Sequence, residues 1–218
     1  MELDSTVMDA AVKPLGRRER KALETRRRVL SAAEALFARD GYATTTMNAI
    51  AEAADVAVQT LYAVFGTKRA ILTELIDARV VGDEHTGRLQ DRREWQAMER
   101  ETDPRTQLAL LASIATHIGN RSAAIIEVMA AAASADPEIA AIYHQQQQTR
   151  YKDQRRIARS LARKHALREE LSETQAADII WALVNTRTYR ALVDERQWTS
   201  DQYERWLTDL LTGALLRC

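Results

Sequence analysis

The chain has 218 residues, 46% of them hydrophobic and 28% charged, which is too apolar for a disordered polyelectrolyte and long enough to bury a core. Its 7 Gly and 3 Pro amount to about 5% of the residues where roughly 12% is average, which argues against an all-β or glycine-loop architecture. The 31 bases and 31 acids cancel, so the chain is neither a polyanion nor a generally basic nucleic-acid coat, and the distribution of charge becomes the informative quantity.

Residues 1–16 combine three acids with Pro14 and Gly16, show no apolar period, and read as a frayed leader without a basic start or an apolar signal region. Residues 13–28 then carry eight bases against Glu19 and Glu24, a local charge of +6. By segment the charge is −3 over 1–12, +5 over 13–69 and −2 over 70–218, so the basic face belongs to the first third. A solvated helix face would account for such a run by itself. The residues that follow decide its meaning.

Val29, Leu30, Ala33, Leu36 and Phe37 recur at helical spacing and stop at Asp40-Gly41, which predicts a first helix over about 18–39. Thr44, Thr45 and Thr46 offer N-cap hydroxyls to a short helix over 47–54, and a second short helix over 58–65 follows after only Asp55-Val56-Ala57. Two short helices joined by three residues must cross steeply. Ala51 supplies the small residue at the crossing, Val56 and Leu61 close the angle, and Asp55 sits where a left-handed residue is needed, which is the pattern of a helix-turn-helix.

Ile71, Leu72, Leu75 and Ile76 predict a helix over 68–81, followed by a polar break over 82–87 and a charged stretch over 88–103 with Trp95 and Met98. Helices are expected over 105–119 and 121–134, and Asp136-Pro137 opens a longer one to about residue 166. Ser172 with Gln175 reads as a capping box for a helix over 173–194, and Thr199 or Ser200 starts the last, over 199–216. No strand pattern occurs. The expected fold is therefore all-α, with about nine helices.

Tyr203, Trp206, Leu207, Leu210, Leu211 and Leu215 lie on one face of the last helix, and the preceding helix, with Ile180 and Val184 among its apolar residues, is apolar on two sides. With no further helix in the chain to cover these faces, they are assigned to a two-fold dimer through a four-helix bundle. The competing arrangement folds them onto residues 105–166 of the same chain.

Arg27 to Phe37, Asp40-Gly41-Tyr42, Thr44 to Met47, Ile50-Ala51, Val56, Thr60-Leu61-Tyr62, Phe65 and Lys68 together resemble the DNA-binding region of TetR-type transcriptional regulators. The residues from Trp181 through Tyr189, Trp198, Tyr203 and Trp206-Leu207 resemble that family's dimer helices. The resemblance implies a homodimeric reader of a near-palindromic double-stranded operator, a repressor released by an unidentified small molecule. It divides the chain into a leader (1–16), a DNA-binding domain (17–67) and an effector-binding and dimerisation domain (68–218). Two departures stand out: the turn reads Asp55-Val56-Ala57 where Gly-Val-Ser is usual, and Ala63-Val64 stand where aromatic or His residues are common.

Within the DNA-binding domain, Gln59 is the candidate for a bidentate adenine contact, and Val58 and Ala63 for apolar contact to a thymine methyl. Thr60 is assigned to phosphate or base, Thr44, Thr46, Tyr62 and Lys68 to phosphates, and the cluster Arg17, Arg18 and Arg20 to the backbone or the minor groove. Two recognition helices on a dimer stand about 34–36 Å apart, one turn of the duplex. Trp95, Met98, His117, Met129, Tyr143 and Trp181 are the residues available to line an effector pocket. Ordinary core packing is the competing reading for each.

Neither catalysis nor a cofactor is expected. The four histidines show no i, i+3 or i+4 pair, no phosphate loop or nucleophile elbow occurs, and the single cysteine, Cys218, allows neither a disulfide nor a thiolate metal site. No membrane partner and a cytoplasmic location are expected. The alternative to a DNA reader is a helical dimeric interaction protein that has kept the fold without reading DNA.

Overall fold

The computed structural model describes residues 16–82 and 88–217, so residues 1–15 of the leader, most of the polar break, and Cys218 lie outside the described residues. The elements are α1 (Arg17–Asp40), α2 (Met47–Ala53), α3 (Val58–Phe65), α4 (Lys68–Val81), a 3₁₀ turn (Leu89–Asp91), α5 (Arg93–Arg100), α6 (Pro104–Ala133), α7 (Pro137–Arg163), α8 (Glu173–Leu183), α9 (Thr186–Arg190) running into a π turn (Ala191–Glu195), and α10 (Ser200–Leu215). Among the described residues the fold is all-α.

Side-chain caps set most of the helix starts, because the first N–H groups of a helix have no partner within it. Thr46 accepts from Ala49 N at 3.1 Å, Thr67 from Ala70 N at 3.0 Å, and Asp103 from Thr106 N at 2.8 Å just before Pro104. The Ser172–Gln175 capping box forms in both directions, at 3.2 and 3.0 Å. Thr199 and Gln202 make a second one.

The structure corrects three boundaries. The helices expected over 105–119 and 121–134 are one helix, α6, because Gly119 is a point of close approach and not a break: the buried ring of Tyr189 covers it, and a Cβ there would stand 2.6 Å from the ring. The helix expected over 173–194 ends at Leu183. Asn185 leaves the helical region (φ −142, ψ 154) and its side chain caps Thr188 N at 2.8 Å, starting α9 afresh. Finally, α7 stops at Arg163, ahead of His165 in the left-handed region (φ 54). The chain after it pairs with the end of α10 through Arg168 N to Leu215 O, 2.9 Å, and Arg217 N to Ala166 O, 3.1 Å.

Two buried clusters organise the helices. The first gathers Val29, Phe37, Ile50, Leu61 and Phe65 of α1–α3 with Ile71, Leu72 and Leu75 of α4, and closes on Ile125 and Met129 of α6 and Ile139 of α7. The second joins α5, the first half of α6, the end of α7, α8 and α10 around Leu108, Leu111, Ile157, Leu161, Ile180, Tyr203 and Leu207. Helix α6 thus enters both. Helix α4 is tied to α1 by the paired forks Arg26–Glu74 and Arg79–Glu34. At the C-terminal end of α4, Arg121 of α6 donates to the carbonyls of Arg79 (3.1 Å) and Val80 (3.4 Å).

Candidate nucleic-acid interface

The helix-turn-helix forms as the spacing predicts. Asp55 takes the left-handed conformation (φ 52), Val56 N donates to Ala51 O at 3.0 Å, and Ala51 and Leu61 are buried where α2 and α3 cross. The sequence reading did not identify Arg28 as a contact of this turn. Its guanidinium donates to Asp55 O at 3.3 Å and lies 3.7 Å from the Asp55 carboxylate, so one base of the charged run reaches back to the turn.

Helix α3 buries Leu61 and Phe65, with Val58 half-buried against the same core. The opposite face presents Gln59, Thr60, Tyr62 and Ala63 to solvent, Tyr62 at 52% exposure. An apolar face on the core and a polar face outward is the ordinary amphipathic division, but an exposed tyrosine ring beside Val64 at 41% has no internal use. The first turns of α1 run alongside. Arg17, Arg18, Arg20 and Lys21 are exposed, and a cleft of about 620 Å³ opens between Arg18, Lys21 and Leu23 of α1 and Thr60 and Val64 of α3.

The expected phosphate contacts divide into two kinds. Thr44 and Thr46 are exposed at the start of α2; Thr44 donates to Asp40 O, and Thr46 uses its oxygen as the cap. Lys68 is different. Its ammonium donates to Tyr42 O and Thr45 O, both at 2.6 Å, and to Ala43 O at 3.3 Å, and sits 4.3 Å from the centre of the Tyr42 ring. Burial pushes its pKa down. With three donors spent on carbonyls, Lys68 locks the α1–α2 loop to α4, and the placement corrects its assignment to a phosphate. Lys68→Met is expected to cost about 1.5–3 kcal/mol in denaturant unfolding while leaving the salt dependence of DNA binding unchanged. A salt slope lowered by about one would show that Lys68 reaches a phosphate after all.

The six residues offered for an effector pocket do not converge. Trp95 and Met98 are buried in the second cluster, Met129 is buried in the first, Tyr143 packs at the edge of the first, His117 is exposed on α6, and Trp181 is 40% exposed on α8. Residue type alone could not show that α6 crosses from one core to the other, which sends His117 and Met129 to different places. Among the described residues two buried side-chain polar atoms have no hydrogen-bond partner, Trp95 Nε1 and Gln154 Oε1. Among the described residues no three His, Cys, Asp or Glu side chains are grouped to hold a metal ion.

The dimer face is corrected likewise. Ile180, Tyr203, Leu207, Leu211 and Leu215 are at most 1% exposed within the single chain, because α10 packs on α6 and α8. They have no area left to bury against a second copy. Burial pushes the Tyr203 phenol up to about 12, so it stays neutral in this core. Of the eight residues named, Val184, Trp206 and Leu210 keep partly exposed side chains.

Residues 29–75 match the model of a family described as bacterial regulatory proteins, tetR family. No curated protein sequence matches the chain. Among solved structures the fold is similar to NalD, the secondary repressor of the MexAB-OprM multidrug efflux pump in Pseudomonas aeruginosa, at 20% identity, covering 91% of this chain and 98% of that one with a TM-score of 0.68. It is also similar to the transcriptional regulator FadR from Bacillus subtilis in complex with stearoyl-CoA, at 17% identity over 86% and 98% of the two chains, TM-score 0.69. SmeT in complex with triclosan is 22% identical over 88% and 92%, TM-score 0.68.

Proposed function

Because residues 29–75 match the model of the tetR family of bacterial regulatory proteins, we propose that the protein is a homodimeric, sequence-specific repressor of transcription that a small molecule releases from DNA. The observation that carries the reading is the face of α3: Gln59, Thr60, Tyr62 and Ala63 stand exposed on a helix whose other side is locked into a core, flanked by the bases of α1. A helix of this size enters a major groove, and the basic turns beside it meet phosphates.

In this reading Gln59 reads an adenine, Ala63 and the exposed edge of Val58 touch a thymine methyl, and Thr60 contacts base or phosphate. Thr44, Thr46, Tyr62, Arg17, Arg18 and Arg20 bind backbone. The head is residues 17–67, and residues 68–218 carry dimer and effector functions, although α4 shares the core of the head. A second copy docks through Val184, Trp206 and Leu210. The neighbours in complex with stearoyl-CoA and triclosan support a small-molecule effector. Among the described residues no helix is long and apolar enough to cross a membrane, and a cytoplasmic location accords with a DNA-binding role.

Two substitutions separate reading from positioning. Gln59→Ala is expected to relax preference at one base position at a cost of about 1–3 kcal/mol on the preferred site. Tyr62→Phe is expected to weaken binding on all sequences by about 0.5–1.5 kcal/mol. Affinities over a library of duplexes check both. An equal loss for Gln59→Ala across the library would assign Gln59 to the backbone.

A further inference from the structure

Arg26, Arg69, Arg79 and Arg156 each face a glutamate across a helix–helix contact. Arg150 of α7 does not. Its Nε donates to Gln147 Oε1 at 3.1 Å and its Nη1 to Val184 O at 2.6 Å, and its guanidinium carbon lies 4.9 Å from the centre of the Trp181 ring on α8. Among the described residues no carboxylate stands within 4.0 Å of it, and Nη2 has no acceptor. A cation largely withdrawn from water is ordinarily paired, since desolvation is costly.

The surroundings are specific. Tyr143, Gln147 and Arg150 fall at i, i+4 and i+7, one face of α7, and the Tyr143 hydroxyl is near enough to act on the charge of Arg150. Opposite stands Trp181, the large apolar side chain most exposed in the second half of the chain. The carbonyl that Arg150 holds is one that the break after α8 leaves without its helical donor, because Thr188 N is taken by the Asn185 side chain. The unpartnered Nη2 of the guanidinium suits a carboxylate oxygen, and an exposed indole beside it matches an apolar body.

We propose that Arg150, with Gln147 and Trp181, receives the carboxylate of an apolar organic acid, and that this acid is the chemical class of the effector. The assignment rests on the reading of the protein as a ligand-released repressor. A carboxylate accepting from Nη2 sits beside the Nη1–Val184 O bond, which places ligand binding at the break between α8 and α9.

The test uses the full-length protein and two probes, 1-naphthoate and octanoate, each against its neutral amide, with thermal unfolding and tryptophan fluorescence as readouts. At least one acid is expected to raise the melting temperature and change the fluorescence in a saturable way, with its amide at least tenfold weaker. Arg150→Gln should lose tenfold or more in affinity, and Arg150→Lys less, while both keep their helicity and their operator binding. Equal binding of acid and amide, no response to either acid, or unchanged binding by Arg150→Gln would overturn the proposal. Loss of dimer mass in Arg150→Gln without any acid response in the parent would overturn it too, assigning the missing carboxylate to a second copy. Should Arg150→Gln fail to fold, the acid–amide comparison on the parent and the Arg150→Lys variant decide. Acid binding that requires Arg150 but leaves operator affinity unchanged would keep the site and refute the release reading.

Discussion

Phe37→Ala is expected to cost about 3–5 kcal/mol, the range for emptying a fully buried aromatic site. The ring is 0% exposed at the centre of the first cluster and lies 5.4 Å from that of Tyr42, the residue whose carbonyl Lys68 holds. No neighbour is placed to fill the space, since Val29, Ala33 and Ile50 are already in contact with the same core. A domain is typically stable by about 5–15 kcal/mol, so the head should be largely lost while α8 and α10, built on the other cluster, keep their packing. Urea unfolding followed by circular dichroism, with operator binding measured in parallel, reads both effects. A loss below about 1 kcal/mol would mean that Phe37 is not a member of that core.

Gly119→Val tests the contact that makes α6 continuous. A Cβ at Gly119 falls 2.6 Å from both Cγ and Cδ2 of Tyr189, and the ring cannot swing aside: it is 3% exposed, stands edge-on to Tyr203 at 5.0 Å, and its hydroxyl donates to Asn120 at 3.2 Å. Overpacking of this kind costs about 1–3 kcal/mol, and valine should reach the upper end. Alanine is the more instructive substitution, because helix propensity alone makes Gly→Ala favourable by about 1 kcal/mol. The expected result is that Gly119→Ala also destabilises, and that pairing it with Tyr189→Leu gives less than the sum of the two losses. A stabilised Gly119→Ala would show that the ring yields.

What the sequence revealed depended on how local its causes are. The helix-turn-helix is written in adjacent residues: a small Ala51, a permissive Asp55 and a Leu61 four residues after Ala57 leave one way to turn, and the structure follows it. Capping is equally local, which is why Ser172 and Gln175 could be read directly. The side chains on the outer face of α3 could be named because its buried side is fixed by the same pattern.

The errors come from contacts distant in sequence. Gly119 looked like a break because the ring of Tyr189, 70 residues later, is invisible in the local pattern. The apolar face of α10 called for a partner, and apolarity cannot say whether that partner is α6 of the same chain or a second copy. Lys68 carries the right charge for a phosphate, yet its reach to Tyr42 O and Thr45 O depends on how α4 meets the α1–α2 loop. Arg150 went unnoticed for the converse reason. An arginine draws attention by lacking a carboxylate only once its neighbours are known.

The central claim, that the face of α3 reads a palindrome as a pair, is tested most directly by incubating the purified protein with a random-sequence duplex library at about physiological salt and sequencing the retained molecules. Enrichment of a near-palindrome with half-sites about one helical turn apart, lost in the Gln59→Ala variant at one symmetric pair of positions, is the predicted result. A folded, dimeric protein that enriches no sequence, assayed both as purified and after denaturation and refolding to remove any bound small molecule, would contradict the claim and return the chain to the class of helical interaction proteins.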